Sequence, residues 1–309
     1  MRRNGPLPTR TLAGLFLLGL VASMSAMATV TVNVNGNVAT AVVELPDANT
    51  PTSTATVTIA FDSVTNLTPD SLNLTASLID PGHPPPLPAQ VSIDPAFPVL
   101  IEIEPTVALF RNGFESGQTG NGNLAFTNTY VFDIDTSNLQ CASATSTYRL
   151  FKAEHGSDTF DDVTEDLFHG SVRARGRGGA FSRFVLVKDD RPQTLVGLPI
   201  IAPLKLTNLV LRLAAAPSVT GTLLTTLVGL LTQVTTDLTT LNINAALSDL
   251  DLFIAGINAA SSSNAIANKW NADRSLTNDA GELLGLAQSL RFSLTLLKGD
   301  PVCTLPPVN

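Results

Sequence analysis

The chain has 309 residues, a net charge of −8 and a pI near 4.8; 44% of it is apolar and only 14% charged. That composition excludes a disordered chain, a coiled coil and a collagen-like fibre. Its acidity argues against a nucleic-acid partner, whose phosphates it would repel, and its length exceeds one average domain.

Residues 1–28 read as a secretory signal peptide. Arg2, Arg3 and Arg10 give a basic start, Leu12 to Ala22 an apolar stretch, and Ala26-Met27-Ala28 a cleavage site before Thr29. The apolar stretch is shorter than the roughly 20 residues that cross a bilayer, so a membrane anchor fits less well. Gly5 and Pro6 depart from a twin-arginine signal, and no cysteine stands near the cut to take a lipid. The expected destination is the periplasm or the outside of the cell. Cleavage would leave 15 basic against 26 acidic residues. Cys141 and Cys303 both lie in the exported part, where two thiols are expected to pair. The alternative is two free thiols, one in a strand and one on the tail, and spacing alone does not decide.

From Thr29 to about Asp190 the apolar period is two, the mark of half-buried strands. Val30, Val32 and Val34 alternate with Thr29, Thr31 and Asn33. Asn35-Gly36 then predicts a tight type I′ hairpin turn before a strand over Val38 to Leu45. Ala55, Val57, Ile59 and Phe61 share one face; Leu72, Leu74, Ala76 and Leu78 repeat the pattern, as do Val99, Ile101 and Ile103. Further strands are expected in Phe126–Asp135, Thr145–Lys152, Ser171–Arg177 and Phe181–Lys188. Pro81-Gly82 and Pro84 to Pro86 mark a stiff loop, because proline cannot join a ladder. Many short alternating strands argue for an antiparallel sandwich.

The period changes near Pro192. Pro199 and Pro203 interrupt an apolar connector that runs to Ala216. Leu224, Leu227, Leu231, Val234, Leu238 and Leu241 then step by three and four, with Ser218 as the expected N-cap. Leu247, Leu250, Ile254 and Ile257 begin a second stripe. A third runs from Leu276 through Ala280, Leu283, Ala287, Leu290 and Leu294 to Leu297, ended by Gly299 and Pro301. Leu213 to Thr236 is uncharged and long enough to span a bilayer. Pro217, Gly221 and the threonines opposite the leucines make it a striped surface helix instead.

Several packing motifs are familiar. Leu150-Phe151-Lys152, F-D-D-V-T at Phe160 to Thr164, Gly170-Ser171-Val172 and F-S-R-F-V-L-V from Phe181 resemble a recurring secreted β-sandwich module. N-x-x-A-A-L-x-x-L-x-x-F-I from Asn242, Ile257-Asn258-Ala259 and A-N-K-W before Leu276 resemble helical repeats of bacterial exported proteins. Together they resemble an uncharacterised exported family of Gram-negative bacteria, a domain of unknown function. F-R-N-G-F-E-S-G from Phe110 is similar to an element common in exported bacterial proteins and is expected to form a long surface loop.

Candidate chemistry is sparse. Asp133-Ile134-Asp135-Thr136-Ser137 resembles an aspartic-protease segment, but Ser137 replaces the turn glycine and no second copy exists. Outward-facing aspartates at a strand end account for it. Asp158, Asp161, Asp162, Glu165 and Asp166 crowd between His155 and His169. Calcium takes six to eight oxygens, so Asp161, Asp162 and Glu165 are the metal candidates, although EF-hand spacing is missing. Zinc would lack a third ligand beside His155 and His169. The bland alternative is a solvated acidic loop. Arg173, Arg175 and Arg177 alternate with small residues, either to hold a carboxylate or sulfated sugar or, more in keeping with the acidic total, to protect a sheet edge. Cys141 with His155 or His169 would make a nucleophile pair only if Cys141 stayed free of Cys303. Trp270 is read as helix packing, not a sugar platform.

No G-x-S-x-G elbow, H-E-x-x-H helix or glycine-rich nucleotide loop is found. The expected organisation is a signal peptide over 1–28 and an antiparallel Ig-like β-sandwich over 29–190. A connector over 191–216, a bundle of about three helices over 217–298 and a tail over 299–309 complete it. The expected role is a non-enzymatic structural or binding module with an extracellular protein or glycan partner, no membrane span and no cofactor. The alternative is a secreted hydrolase with an acidic, calcium-assisted site.

Overall fold

The structure, a computed structural model, describes residues 28–45, 54–107, 123–141 and 146–303. The signal segment up to residue 27, the F-R-N-G-F-E-S-G element and the last six residues lie outside the described residues. Strands β1 (Thr29–Asn35), β2 (Val38–Glu44) and β3 (Thr54–Thr65) lead through a one-turn helix α1 (Pro69–Leu72) to β4 (Leu74–Leu78). Next come β5 (Val91–Ile93), β6 (Val99–Ile103), β7 (Ala125–Cys141), β8 (Tyr148–Glu154) and β9 (Phe160–Asp162). Then follow β10 (Thr164–Phe168), β11 (Gly170–Gly178), β12 (Ser182–Asp189) and a small hairpin, β13 (Thr194–Leu195) with β14 (Leu198–Pro199). Helices α2 (Ile201–Ala214), α3 (Gly221–Thr239) and α4 (Ile243–Ser262), strand β15 (Lys269–Asn271) and helix α5 (Asp279–Lys298) complete the chain.

Two antiparallel sheets form the β-rich part. One has the order β1-β2-β3-β7-β11-β10, with β15 paired to β7; the other runs β4-β6-β12-β8-β9, with β5 paired to β12. The expected alternation sets their shared core: Ala55, Val57, Ile59 and Phe61 are buried and face Val99, Ile101 and Ile103 from the other sheet within one cluster. Phe61, Phe126, Tyr130 and Phe181 stack at one end with centroids 4.8 to 6.2 Å apart. The first turn differs from expectation. Its loop is Gly36-Asn37, and only Gly36 has positive φ (57°), the pattern of a II′ turn, which places glycine first.

The helical stripes over α3, α4 and α5 form as the sequence predicts except at two ends, since Leu241 follows α3 and Leu276 precedes α5 and both are exposed; Gly299 caps α5 in the left-handed region at φ 88°. Two expectations are corrected. Ile201–Ala214, read as connector, is helix α2: Pro203 falls in its first turn, where a missing N–H costs nothing. Ser218 does not cap α3; Thr220 holds that position, and the Ser218 hydroxyl donates to Asp279 Oδ2 at 2.6 Å. Among the described residues no helix is long and apolar enough to cross a membrane.

The helices do not hang beside the sheets. More than half of α5 is buried, with one side against α2 and α4 and the other against β7, β10 and β11. Small residues allow that approach. A Cβ at Gly281 would lie 2.5 Å from the Asn128 carbonyl oxygen, and one at Gly285 would lie 2.7 Å from that of Arg177. From the sheet side, a Cβ at Gly179 would meet the Glu282 nitrogen at 2.5 Å. Strand β15, between α4 and α5, adds a second joint by inserting Trp270 into the sandwich core, stacked on Phe126 at 5.2 Å. Trp270 is packing, but in the sandwich and not among the helices. The Cys141–Cys303 disulfide, with Cα atoms 5.7 Å apart, holds the end of the chain after α5 to the end of β7.

Gly281→Ala and Gly285→Ala should each destabilise by about 1–3 kcal/mol, since the opposing atoms are backbone and cannot rotate away. Chemical denaturation of each variant, beside the control Gly229→Ala on the open side of α3, measures this. Reducing the disulfide should lower the melting temperature by on the order of 10 °C. Closing 162 residues is worth at most about 5 kcal/mol in the chain-entropy model, and calorimetry with and without reductant reads the difference.

Candidate functional site

The acidic segment is not a solvated loop: Asp161 and Asp162 lie on β9 and Glu165 and Asp166 on β10, with Val163 between them bonded to Leu150. Strand geometry separates their side chains. Asp162 is buried, and its two oxygens are taken: Oδ1 accepts from the Thr164 N–H at 2.8 Å and Oδ2 from Lys205 at 2.7 Å. Lys205 comes from α2 and donates also to the Ser289 hydroxyl at 2.7 Å and the Ser289 carbonyl at 3.1 Å. Ser289, on α5, returns its own proton to the Asp162 carbonyl at 2.7 Å. One closed circuit therefore joins β9, α2 and α5.

Burial and mutual attraction compete at this pair. Burial works against the Asp162 charge, but Lys205 and then Arg149 outweigh it and hold the carboxyl below its ordinary range. The same burial pulls the Lys205 ammonium below the ordinary lysine range against the attraction of Asp162. The circuit itself borders a small cleft of about 190 Å³, where Asp162, Lys205 and Ser289 share the wall with Asp161, Arg191 and Asn208. Arg191 is engaged with both oxygens of Asp189 at 2.8 and 2.7 Å. Asp161 makes no ion pair among the described residues; partial burial, with Glu154 and Asp162 nearby, raises its carboxyl.

Ser289 and Lys205 have the separation of a nucleophile and its base. The serine proton is already given to a carbonyl, the ammonium donates to three acceptors, and Ser289 is buried. The circuit is therefore a clasp: the serine hydroxyl and the lysine hydrogens are all directed to internal acceptors, although the three side chains also border the small cleft.

The remaining candidates are brought to different places. Glu165, on the other sheet from Asp161 and Asp162, forms a two-pronged pair with Arg177 at 3.1 and 3.0 Å, so the three acids do not converge. Asp158 pairs with Arg183 at 2.9 Å and His155 with Glu104 at 3.2 Å, while His169 sits at the turn between β10 and β11. Among the described residues no three groups of the acid, histidine or cysteine type are placed to hold a metal. Cys141 is bonded to Cys303 and is no nucleophile.

The edge-protection reading of the arginines is overturned, because β11 lies between β7 and β10 and is not an edge. Asp133 on β7 bridges Arg173 at 2.9 Å and Arg175 at 3.0 Å, and both guanidinium groups lie over the Phe168 ring at about 5 Å. Asp133 is thus mid-strand and paired, not a free carboxylate at a strand end. Asp135 accepts from the Ser171 hydroxyl at 2.5 Å.

Fold and site are matched by one family description, the family of unknown function DUF6689, over residues 15–298. The chain belongs to that family. The DUF6689 match runs through both sheets and all the helices, so the clasp between them lies inside the family's own span. No curated protein and no solved structure was found to match the chain.

Lys205 and Ser289 were not singled out from the sequence. A signal was present for one: Lys205 is the only charge between Arg191 and Arg212, and a lone lysine in an apolar run needs a buried partner. Ser289 carried none, since it stands in α5 like any small residue.

Lys205→Met should cost about 3–5 kcal/mol at neutral pH by stranding the Asp162 carboxylate, whereas Lys205→Met with Asp162→Asn should recover much of that loss. Asp162 has a depressed folded pKa, so its contribution is present above the ordinary aspartate value and lost as pH falls through the lower folded one. The deficit of Lys205→Met should accordingly shrink toward acid, where the stranded carboxyl takes a proton. Urea titrations of wild type, single variants and double variant at pH 7 and pH 4 test both signs.

Proposed function

We propose that the chain is an exported, non-enzymatic structural or binding module, delivered by a cleaved signal peptide to the periplasm or the cell exterior. The observation that carries this is where its reactive groups go. Among the described residues, apart from Asp161 and Asp166, the acids, arginines and cysteines singled out in the sequence are spent on internal pairs or, for Asp135, a serine hydroxyl. What remains open is aliphatic. The large apolar side chains exposed among the described residues are valine and leucine, with no aromatic ring to stack on a sugar, which favours a protein partner over a glycan. A proline-walled pocket of about 380 Å³, floored by Ile79, Leu87, Val91 and Ile93, is one such aliphatic surface. The disulfide supports an oxidising destination, because such bridges are rare where thiols are kept reduced.

The hydrolase reading retains Asp161, a raised carboxyl on the wall of the small cleft, and Asp166, a raised carboxyl on the wall of another. Fractionation of expressing cells, with intact-mass analysis of the recovered protein, tests the proposal. The expected product starts at Thr29, is found outside the cytoplasm and is two hydrogens lighter than the reduced chain. A cytoplasmic, unprocessed, dithiol product rejects it. A melting temperature raised by millimolar calcium, and lowered again in Asp161→Ala, would favour the hydrolase instead.

A further inference from the structure

Where the start of α5 meets the sheets, one ammonium faces two carboxylates. Lys152 on β8 is buried, with Glu154 Oε1 at 2.8 Å and Glu282 Oε1 at 4.0 Å. Glu154 is 53% exposed and has water for company, whereas Glu282 is 16% exposed and its Oε1 is buried with no hydrogen-bond partner. Lys152 is therefore committed to Glu154, and a charge on Glu282 is left over. Its backbone cannot retreat, because a Cβ at Gly179 would already lie 2.5 Å from the Glu282 nitrogen.

Among the described residues the other charges packed around this seam are engaged. From α2, Arg212 is drawn to Asp279 at 2.9 Å and Lys205 to Asp162 at 2.7 Å. On β7, Asp133 holds Arg173 and Arg175, and the Tyr130 hydroxyl donates to the Ala180 carbonyl at 2.7 Å. Glu165 on β10 pairs with Arg177 on β11; on α4, Asp251 pairs with Arg291 and Asp249 faces Asp237. The Ser182 hydroxyl on β12, opposite Glu154 in the ladder, is buried without a partner.

We propose that the joint between the start of α5 and the sheets is a pH-operated catch, closed while the Glu282 carboxyl holds a proton and loosened when it ionises. A neutral carboxyl has a proton to donate and no charge to solvate, which suits a site that offers one lysine to two acids. Burial pushes the Glu282 carboxyl above its ordinary range; Lys152 opposes this and Glu154 reinforces it. The folded chain then keeps a proton that the unfolded chain releases. The contribution of Glu282 is fully present below the ordinary glutamate value and is lost as pH rises through the higher folded one. Opening is local. Further along, α5 is fastened by the Lys205–Ser289 contact, and after its end by Cys303, so ionisation frees the first turn while the rest stays docked. The catch goes beyond the proposed function and does not depend on where the chain is delivered.

Amide hydrogen exchange of the disulfide-intact protein, corrected at each pH for the intrinsic rate, tests it. Between about pH 4.5 and about pH 8, protection of the Gly281–Leu284 amides should fall at least about tenfold, the equivalent of one pKa unit, and that of Leu290–Leu294 should fall less. In Glu282→Gln, which is neutral at every pH, the fall should vanish and protection should stay at its acid level. In Glu154→Gln the fall should shrink, since Lys152 is then left to Glu282 alone. Circular dichroism melting checks that both variants are folded; if Glu282→Gln melts too early to read, Glu154→Gln, altered at an exposed side chain, decides. Protection that is flat with pH in the wild type overturns the proposal, as does a fall that persists in Glu282→Gln or is undiminished in Glu154→Gln. Loss of protection in Glu282→Gln at acid pH also overturns it and assigns the joint to an ionised pair with Lys152.

Discussion

The close approach of one helix backbone to one strand backbone governs this molecule. At Gly281 and Gly285 on α5, and at Gly179 after β11, there is no space for a side chain, so the backbones meet directly. The consequence reaches in both directions. Toward the sheets, Asn278 at the N-cap of α5 donates to the carbonyls of Asn128 and Gly179, so the helix start is bonded to the sandwich. Toward the helices, Asp279 in the first turn is fully buried and gathers Arg212 from α2 and Ser218 from the link that follows. A helix held that closely on one side can serve as the floor on which α2 and α4 pack with the other.

Buried charge along this seam needs a physical reason, because an ion pair taken out of water often contributes no more than well-packed apolar residues would. Three such groups lie here: Asp162 with Lys205, Asp279 with Arg212, and Lys152 with Glu154 and Glu282. In the last, burial opposes the Lys152 charge, yet Glu154, Tyr130 and Glu282 hold the ammonium above its ordinary range. Glu282 is pushed the other way by burial, with Lys152 only partly offsetting it. A leucine-rich helix can slide along a sheet by one turn and lose little. A buried lysine that must find one carboxylate and one serine cannot. These pairs therefore act on register more than on total stability.

The sequence made the elements legible and left their assembly obscure, and particular residues show why. Alternation over Ala55 to Phe61 and three-and-four spacing over Leu283 to Leu294 are local signals, and each predicted a burial pattern that the fold displays. Failures came where the deciding partner is far along the chain. Ser218 looks like a cap for α3, but its hydroxyl is drawn 61 residues away to Asp279. The arginines of β11 look like edge guards until β10 is seen to lie outside them and Asp133 beside them. Pro203 reads as an interruption because a proline in a first turn and a proline that breaks a helix are the same letter, whereas Pro199 does stand before the helix, in β14. Three residues of β15 are too few to carry a period, so Trp270 was assigned to the wrong core.

The same reasoning explains why chemistry was harder to read than fold. Acid-rich and arginine-rich segments look reactive when each is taken alone, since sequence shows a charge but not its counter-charge. Glu165 with Arg177, Asp158 with Arg183 and Asp162 with Lys205 pair across 12, 25 and 43 positions, and each pairing removes a free ligand and a free base together. The apolar face of α2 and α3 is the reverse case. Its two cations look like surface charges in the sequence, and only their inward pairing with Asp162 and Asp279 leaves the outside neutral. The clasp that fastens the helices to the sheets therefore also clears a surface of charge, so that the interior seam and the exterior face are consequences of the same two ion pairs.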